Sequence, residues 1–442
     1  MAENADKLGQ NGALPPRTPV KFLFVSIDAL ISDLAWQVGK EGHEVKYYVQ
    51  DKGQKDVGSG FVEKVDDWKP LAEWADVIVF DDIGFGDAAQ KLRKDGKAVV
   101  GGSCYTDRLE FDREFGQNEM KGAGISLLPH WDFSDFDSAL KFIKENPGRY
   151  VIKPSGTIQD EKELSFVGQD EDGKDLIEIL ELYKTSWAGK IKSFQLQKFA
   201  SGVEVAVGAF FNGEDFIYPV NINFEHKKLF PGGLGPNTGE MGTSMFWSPP
   251  NKLFQETLGR MKDRLGAAGY VGYIDINCIA NNRGIYPLEF TSRFGYPTIS
   301  IQMEGVLSEW GQFLAGIARG EKPELRTKKG FQLGVVIAVP PFPFTDPKTY
   351  QRYSEDAAIL LKKPTDGVHL GEVKLVDGKW LLAGESGYAL IVTGSGTTME
   401  DARKQAYLRV ANIMIPNMFY RTDIGARWTG DSDRLQTWGY LY

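Results

Sequence analysis

Between residues 20 and 101, short apolar runs alternate with amphipathic stretches, and this alternation constrains the chain more than any other feature. Residues 20–27 (VKFLFVSI) form a short β-rich run, residues 30–41 carry helical periodicity, and residues 44–49 are again strand-like. Residues 75–80 (ADVIVF) give a third strand, followed by a turn at 81–86, and residues 97–101 a further one. Strand–helix alternation of this kind predicts a parallel sheet covered by helices. Residues 108–122 read as one charged helix that stops at Gly122-Ala123-Gly124.

The middle of the chain follows another rule. Strands are expected at 150–153, 194–199 and 203–211, with a helix at 175–186. Asn212-Gly213 and Asn281-Asn282 sit between apolar runs, which predicts hairpins joining 203–211 to 215–220 and 272–279 to 284–290. Residues 253–268 read as one helix. Beyond Gly320, strands are expected at 333–339, 372–376, 379–382 and 388–394, and a helix at 399–413. The fold class is α/β, with a Rossmann-like N-terminal domain (19–115), an α+β middle domain (116–322) and a mixed α/β C-terminal domain (323–442), preceded by a disordered tail (1–18).

A net charge of −9 over 442 residues gives no general attraction for phosphate backbones, so nucleic acid is excluded as a partner. The two cysteines, Cys104 and Cys278, are too few for a disulfide framework. His43, His130, His226 and His369 are scattered without zinc-ligand spacing. The polar start of the chain lacks a signal-peptide core, and no run approaches the ~18 apolar residues of a membrane span. A cytoplasmic protein that is a monomer or small homo-oligomer is expected.

Three local signals carry chemistry. Residues 235–242 (GPNTGEMG) form a rigid, backbone-exposing loop that either binds an anionic group or is a plain surface loop. Asp275 and Glu289 lie on the two arms of the second hairpin. Side by side, they would repel unless a cation lay between them. Mg²⁺ shared with substrate phosphates meets that need, and two exposed strand acids are the alternative. Lys153 closes an apolar strand, where it either meets phosphate as a point charge or snorkels to solvent.

Taken in order, GPNTGEMG (235–242), LEFTSRFG (288–295) and FYRTDIGAR (419–427) resemble the phosphoribosylamine–glycine ligases, an ATP-grasp family, and the likeness runs over most of the chain. The resemblance implies a pre-ATP-grasp domain, an ATP-grasp domain and a C-terminal domain folded back onto the site, with ATP and Mg²⁺ (or Mn²⁺) as cofactors. It implies that Lys153, Arg113 and Lys227 meet ATP phosphates, that Leu196, Gln197, Lys198 and Phe199 meet adenine, and that Glu204 meets the ribose. Asp275, Glu289 and Thr291 would hold the metal. Arg293 would face the transferred phosphoryl group, and Asn237, Thr238, Gly239, Met241 and Gly242 would line the substrate side. The implied substrates are a small carboxylate, such as an amino acid, and an amine.

The chain also departs from the family pattern. The glycine-rich, basic loop after the family's first strand is replaced by residues 26–32 (SIDALIS), with Asp28 where a phosphate would sit. The next loop becomes residues 80–84 (FDDIG), adding negative charge. The lid over ATP reads differently across 155–163, where Lys162, set among Asp160, Glu161 and Glu163, is the one candidate for the family's second lysine. Thr291 stands where the family has asparagine, Tyr296-Pro297-Thr298 replaces an acidic segment, and Gly232-Gly233-Leu234 removes an acid before GPNTG. Three readings follow: a ligase with a changed amine substrate, a phosphoribosylamine–glycine ligase with a divergent site, or a non-catalytic ATP-binding homologue.

Overall fold

The structure is a computed structural model that describes residues 18–156, 164–363 and 366–442. The expected tail up to residue 17 and most of the altered lid, Lys162 included, lie outside the described residues.

The N-terminal alternation yields a five-stranded, wholly parallel sheet. Its strands are β1 (Lys21–Ser26), β2 (Glu44–Val49), β3 (Glu63–Lys64), β4 (Val77–Phe80) and β5 (Ala98–Val100), in the order β3-β2-β1-β4-β5. Central β1 is covered on both faces, which is why its sequence is almost uninterrupted hydrophobe. The first helix, α1, runs Ser32–Lys40 and starts later than the periodicity predicts. Ala29 holds a left-handed φ of 63°, a conformation that cannot begin a right-handed helix. Helix α2 (Gly86–Lys94) joins β4 to β5, and the charged segment expected as one helix is two, α3 (Cys104–Phe111) and α4 (Arg113–Gly122). Asp112 divides them because its carboxylate accepts the Phe115 N–H at 3.0 Å as an N-cap.

A small four-stranded sheet follows: β6 (His130–Phe133), β7 (Tyr150–Pro154), β8 (Phe166–Val167) and β9 (Phe194–Lys198), in the order β6-β9-β7-β8. Helices α5 (Phe136–Glu145) and α6 (Lys174–Ser186) cover one face through Leu140, Ile143, Leu176 and Leu180. The other face looks across a cleft at a larger sheet.

That sheet is built from β10 (Val203–Asn212), β11 (Phe216–Glu225), β14 (Gly242–Ser248), β15 (Val271–Asn281), β16 (Gly284–Thr291) and β17 (Phe331–Ala338), with the short pair β12 (Lys228–Phe230) and β13 (Leu234–Asn237) beside it. Both predicted hairpins form, β10–β11 and β15–β16. The order β16-β15-β10-β11-β14-β17 then continues into the strands Tyr388–Gly396 and Val368–Leu370, so eight antiparallel strands run across the boundary drawn at residue 322. The helix expected at 253–268 is broken instead. Thr257 leaves helical geometry (φ −125°, ψ −100°), and its hydroxyl donates to the Leu253 carbonyl at 2.5 Å.

Candidate active site

One cleft of about 740 Å³ lies between the two antiparallel sheets, the loops after β1 and β2, and segments of the C-terminal third. Each wall contributes charge by a local rule. On β7 the alternation of buried and half-buried residues turns Val151 and Lys153 to the cleft and Tyr150 and Ile152 to the helices. Burial, and after it the Arg113 guanidinium, lower the Lys153 ammonium to about 8. Arg113, first residue of α4, reaches the same place and donates to the Pro154 carbonyl. Below them Gln117 and Gln195 exchange amide hydrogen bonds at 3.0 Å, tying α4 to β9.

The facing wall is the β15–β16 hairpin. Its register sets Asp275 opposite Thr291 and Asn277 opposite Glu289. The two acids therefore share a face but sit diagonally, not side by side as the hairpin reading had them. Asp275 is 3% exposed, and its Oδ1 has no hydrogen-bond partner among the described residues. Burial, then the neighbouring Glu225, raise its carboxyl well above the usual range. Glu289 is exposed and faces Lys227 at 3.0 Å.

Lys227 stands at the centre of this wall. Its Nζ lies 3.0 Å from Glu289, 3.3 Å from Glu225 and 3.4 Å from Glu204. Burial opposes its charge, but the three carboxylates outweigh it and hold the ammonium well above the ordinary lysine value. Asn277 donates to Glu225 at 2.7 Å and fixes that acid. Sequence reasoning missed Glu225 and Asn277. The available signal was an acid ending the apolar strand β11, just as Glu289 follows an apolar run.

Arg293 follows β16. Its Nε faces Glu110 at 3.3 Å and Asp82 at 3.5 Å, and Nη1 donates to the Phe294 carbonyl at 2.8 Å. Glu110 also accepts the Ser292 N–H at 2.7 Å. Neither acid was legible as a partner, because both lie far from Arg293 in sequence.

The remaining predicted residues divide. Asn237, Thr238 and Gly239 line the cleft, and the Thr238 hydroxyl and N–H both donate to the Lys227 carbonyl at 2.8 Å. Met241 and Gly242 do not reach it. Met241 is fully buried, and a Cβ on Gly242 would stand 2.5 Å from the Gly334 carbonyl, so this glycine permits the close β14–β17 approach. Leu196 and Gln197 are buried inside the small sheet. The N–H groups of Lys198 and Phe199 are engaged by the Pro129 and Arg149 carbonyls, their side chains lying against Tyr150 and Arg149. Glu204 touches the site through Lys227 rather than by lining the cleft. The C-terminal motif docks on the same loops. Arg421 grips Asp423 with two bonds of 2.7 and 2.8 Å and donates to the Lys228 carbonyl, Asp423 accepts the Gly232 N–H, and Arg427 donates to the Glu225 carbonyl.

Among the described residues no three His, Cys, Asp or Glu side chains converge to hold a metal by themselves. The donors on the hairpin are nonetheless hard oxygens, and the orphan Asp275 Oδ1 suits a cation that completes its shell with water and phosphate oxygens.

Residues 111–299 match the phosphoribosylglycinamide synthetase ATP-grasp (A) domain, and residues 332–427 the C domain of the same family. The chain is a phosphoribosylglycinamide synthetase-like ATP-grasp enzyme. A phosphoribosylamine–glycine ligase of Listeria innocua is 27% identical over 344 residues, covering 75% of this chain and 79% of the relative. The Streptococcus pneumoniae ligase is 26% identical with the same coverage. The crystal structure of the Thermotoga maritima phosphoribosylamine–glycine ligase superposes with a TM-score of 0.69 at 22% identity, over 92% of this chain and 100% of the other. The biotin carboxylase domain of Hydrogenobacter thermophilus 2-oxoglutarate carboxylase gives 0.61 at 12% identity, over 91% and 92%. The ATP-grasp family implies use of ATP with a divalent metal. Among the described residues no helix is long and apolar enough to cross a membrane.

Because burial and the Arg113 guanidinium lower the Lys153 ammonium to about 8, its charge is present below that value and lost above it. ATP affinity should therefore fall as pH rises through about 8. Titrating fluorescent-nucleotide binding from pH 6.5 to 9.5 checks this, and Lys153→Arg should flatten the profile.

Proposed function

We propose that the protein joins a small carboxylate to an amine through an acyl phosphate made from ATP, and that its amine is not phosphoribosylamine. The observation that carries this reading is the convergence on one cleft of Lys153 from the small sheet and Asp275, Glu289 and Arg293 from the large one. Bound Mg²⁺, held by Asp275, Glu289 and Thr291, would neutralise phosphate charge. Lys153 and Arg293 would hold the γ-phosphoryl oxygens as the carboxylate oxygen attacks phosphorus and ADP leaves. The amine nitrogen then forms a bond to the acyl carbon, the acyl C–O bond to phosphate breaks, and the nitrogen's proton passes to solvent. The Thr238 loop, which lines the cleft and is tied to the Lys227 carbonyl, would limit water around the intermediate.

The departure from phosphoribosylamine rests on the acids that replace the family's phosphate loops. Asp28 and Asp51 line the cleft, and Asp82 reaches Arg293. The test is ADP release with Mg²⁺-ATP across amino acids and amines, with and without phosphoribosylamine generated in place. Release with other pairs, lost in Glu289→Ala, is expected. Release that requires glycine and phosphoribosylamine would identify a divergent purine enzyme, and ATP binding with no release would favour a non-catalytic homologue.

A further inference from the structure

The basic side chains that line the cleft are Arg113, Lys153, Lys227 and Arg293 among the described residues. Of these, Arg293 acts on the Asp28 carboxyl, which burial, then Asp82 and Asp51, raise by more than Arg293 lowers it. The end between the N-terminal loops and the C-terminal third is walled by Asp28, Asp51, Gln54, Glu372, Glu385 and Tyr388. Glu385 lies against Gly53, where any Cβ would come within 2.3 Å of its carboxyl carbon, and the Gly53 N–H donates to Asp51 at 2.8 Å, so the same loop residue adjoins both acids. Glu372 is held by neutral donors, the Gln54 amide at 2.9 Å and the Ser386 and Gly387 N–H groups at 3.0 Å; burial raises its carboxyl to about 7, and no ion pair to it forms among the described residues. Asp28 stands just before α1, the helix start where an anion would otherwise be favoured, and Ala29 carries a left-handed backbone there.

Two buried polar atoms on the same wall make the acids more than a surface cluster. The Tyr388 hydroxyl, on a side chain 8% exposed, and Gln54 Oε1, on one 5% exposed, have no hydrogen-bond partner among the described residues. Gln54 Oε1 accepts only, so a donor must come from a bound molecule or water. An acceptor that brings positive charge and N–H donors satisfies both features, and a phosphate satisfies neither.

We infer that this end of the cleft takes the amine acceptor and that the acceptor is a diamine, one amino group reacting while the second, as an ammonium, lies among Asp28, Asp51 and Glu385. This rests on the ligase reading given above. Two measurements separate the two claims. In the first, ADP release is followed with a responsive carboxylate and either 1,3-diaminopropane or 1,4-diaminobutane, against propylamine, butylamine and phosphoethanolamine. The diamines should show a KM at least about tenfold below the matched monoamines, in keeping with one added charge pair. Phosphoethanolamine should be inactive. Asp28→Asn and Asp51→Asn should bring the diamine-to-monoamine ratio close to one, as should 0.5 M NaCl in the wild type. In the second, calorimetry with the Mg²⁺-ADP protein should detect diamine but not monoamine binding, and less of it in Asp28→Asn.

Equal use of monoamines, or preference for phosphoethanolamine, would overturn the diamine assignment and leave the ligase reading intact. A preference that follows an α-amino group on the carboxylate, not the acceptor, would overturn it too, giving these acids to the other substrate. Absence of ADP release with every pair, alongside diamine binding that Asp28→Asn weakens, would remove the ligase reading and keep the cation site.

Discussion

Replacing Arg293 with alanine should lower the rate of ADP release about a thousandfold, while ATP binding changes little. The guanidinium is held in place before substrate arrives, by Glu110, Asp82 and the Phe294 carbonyl. A group so fixed needs no reorganisation when charge builds on the phosphoryl oxygens, and removing one such donor costs about 10² to 10³ in rate. Lysine should not restore the activity, because an ammonium cannot keep Glu110 and Asp82 and also offer a planar fork to phosphate. Single-turnover kinetics with Arg293→Ala and Arg293→Lys, beside melting curves for both, provide the check. A loss below tenfold in folded protein would take Arg293 out of the chemistry. Alanine also leaves Glu110 facing the cleft without its guanidinium, and burial already raises that carboxyl. The variant can shed the charge by taking up a proton, which should preserve the fold.

The second large effect concerns stability. Glu304, on the helix Thr298–Gly305, accepts bonds from Lys328 at 2.9 Å, Arg409 at 3.0 Å, Thr393 at 3.0 Å and Ser395 at 2.8 Å. It thereby fastens that helix to the C-terminal strand and helix. Burial opposes its charge, yet Lys328, Ser395 and Arg409 hold the carboxyl at about 2, below the ordinary 4.5. Glu304→Ala should destabilise by about 3 kcal/mol, since it strands two cations that are partly removed from water. The folded-state pKa is depressed, so this contribution is complete above pH 4.5 and fades as pH falls toward 2. Urea melts of wild type and variant at pH 7 and pH 3 should show the gap narrowing at the lower value. A gap that stays constant would mean that packing, not the ion pairs, is what the substitution removes.

Much of the site could be read from single positions. Lys153, Asp275 and Glu289 are charges set in apolar strand runs, and Arg293 lies in a motif that gave the family. What stayed hidden is pairwise. Glu110 meets Arg293 across 183 residues, and no periodicity in either segment reports on the other. Hairpin pairing was expected for Asp275 and Glu289, but only the register, with its bulge after Asn277, decides that they are diagonal. Helix breaks at Asp112 and Thr257 were missed for a similar reason. Both residues fit the surrounding helical pattern, and only the side-chain hydrogen bond each makes shows that it interrupts the helix.

The continuity of the eight-stranded sheet has a bearing on how such a chain can change over time or at the bench. The segment Phe331–Ala338 is hydrogen-bonded to Gly242–Ser248 on one side and to Tyr388–Gly396 on the other. A cut near residue 322 would thus leave Gly242–Ser248 as a bare edge, its N–H and C=O groups open to pairing with another copy. The C-terminal third is no detachable cassette. Grafts between relatives should be joined in loops that leave this pairing whole, and recombination at the apparent domain seam selects for aggregation before it selects for any new substrate.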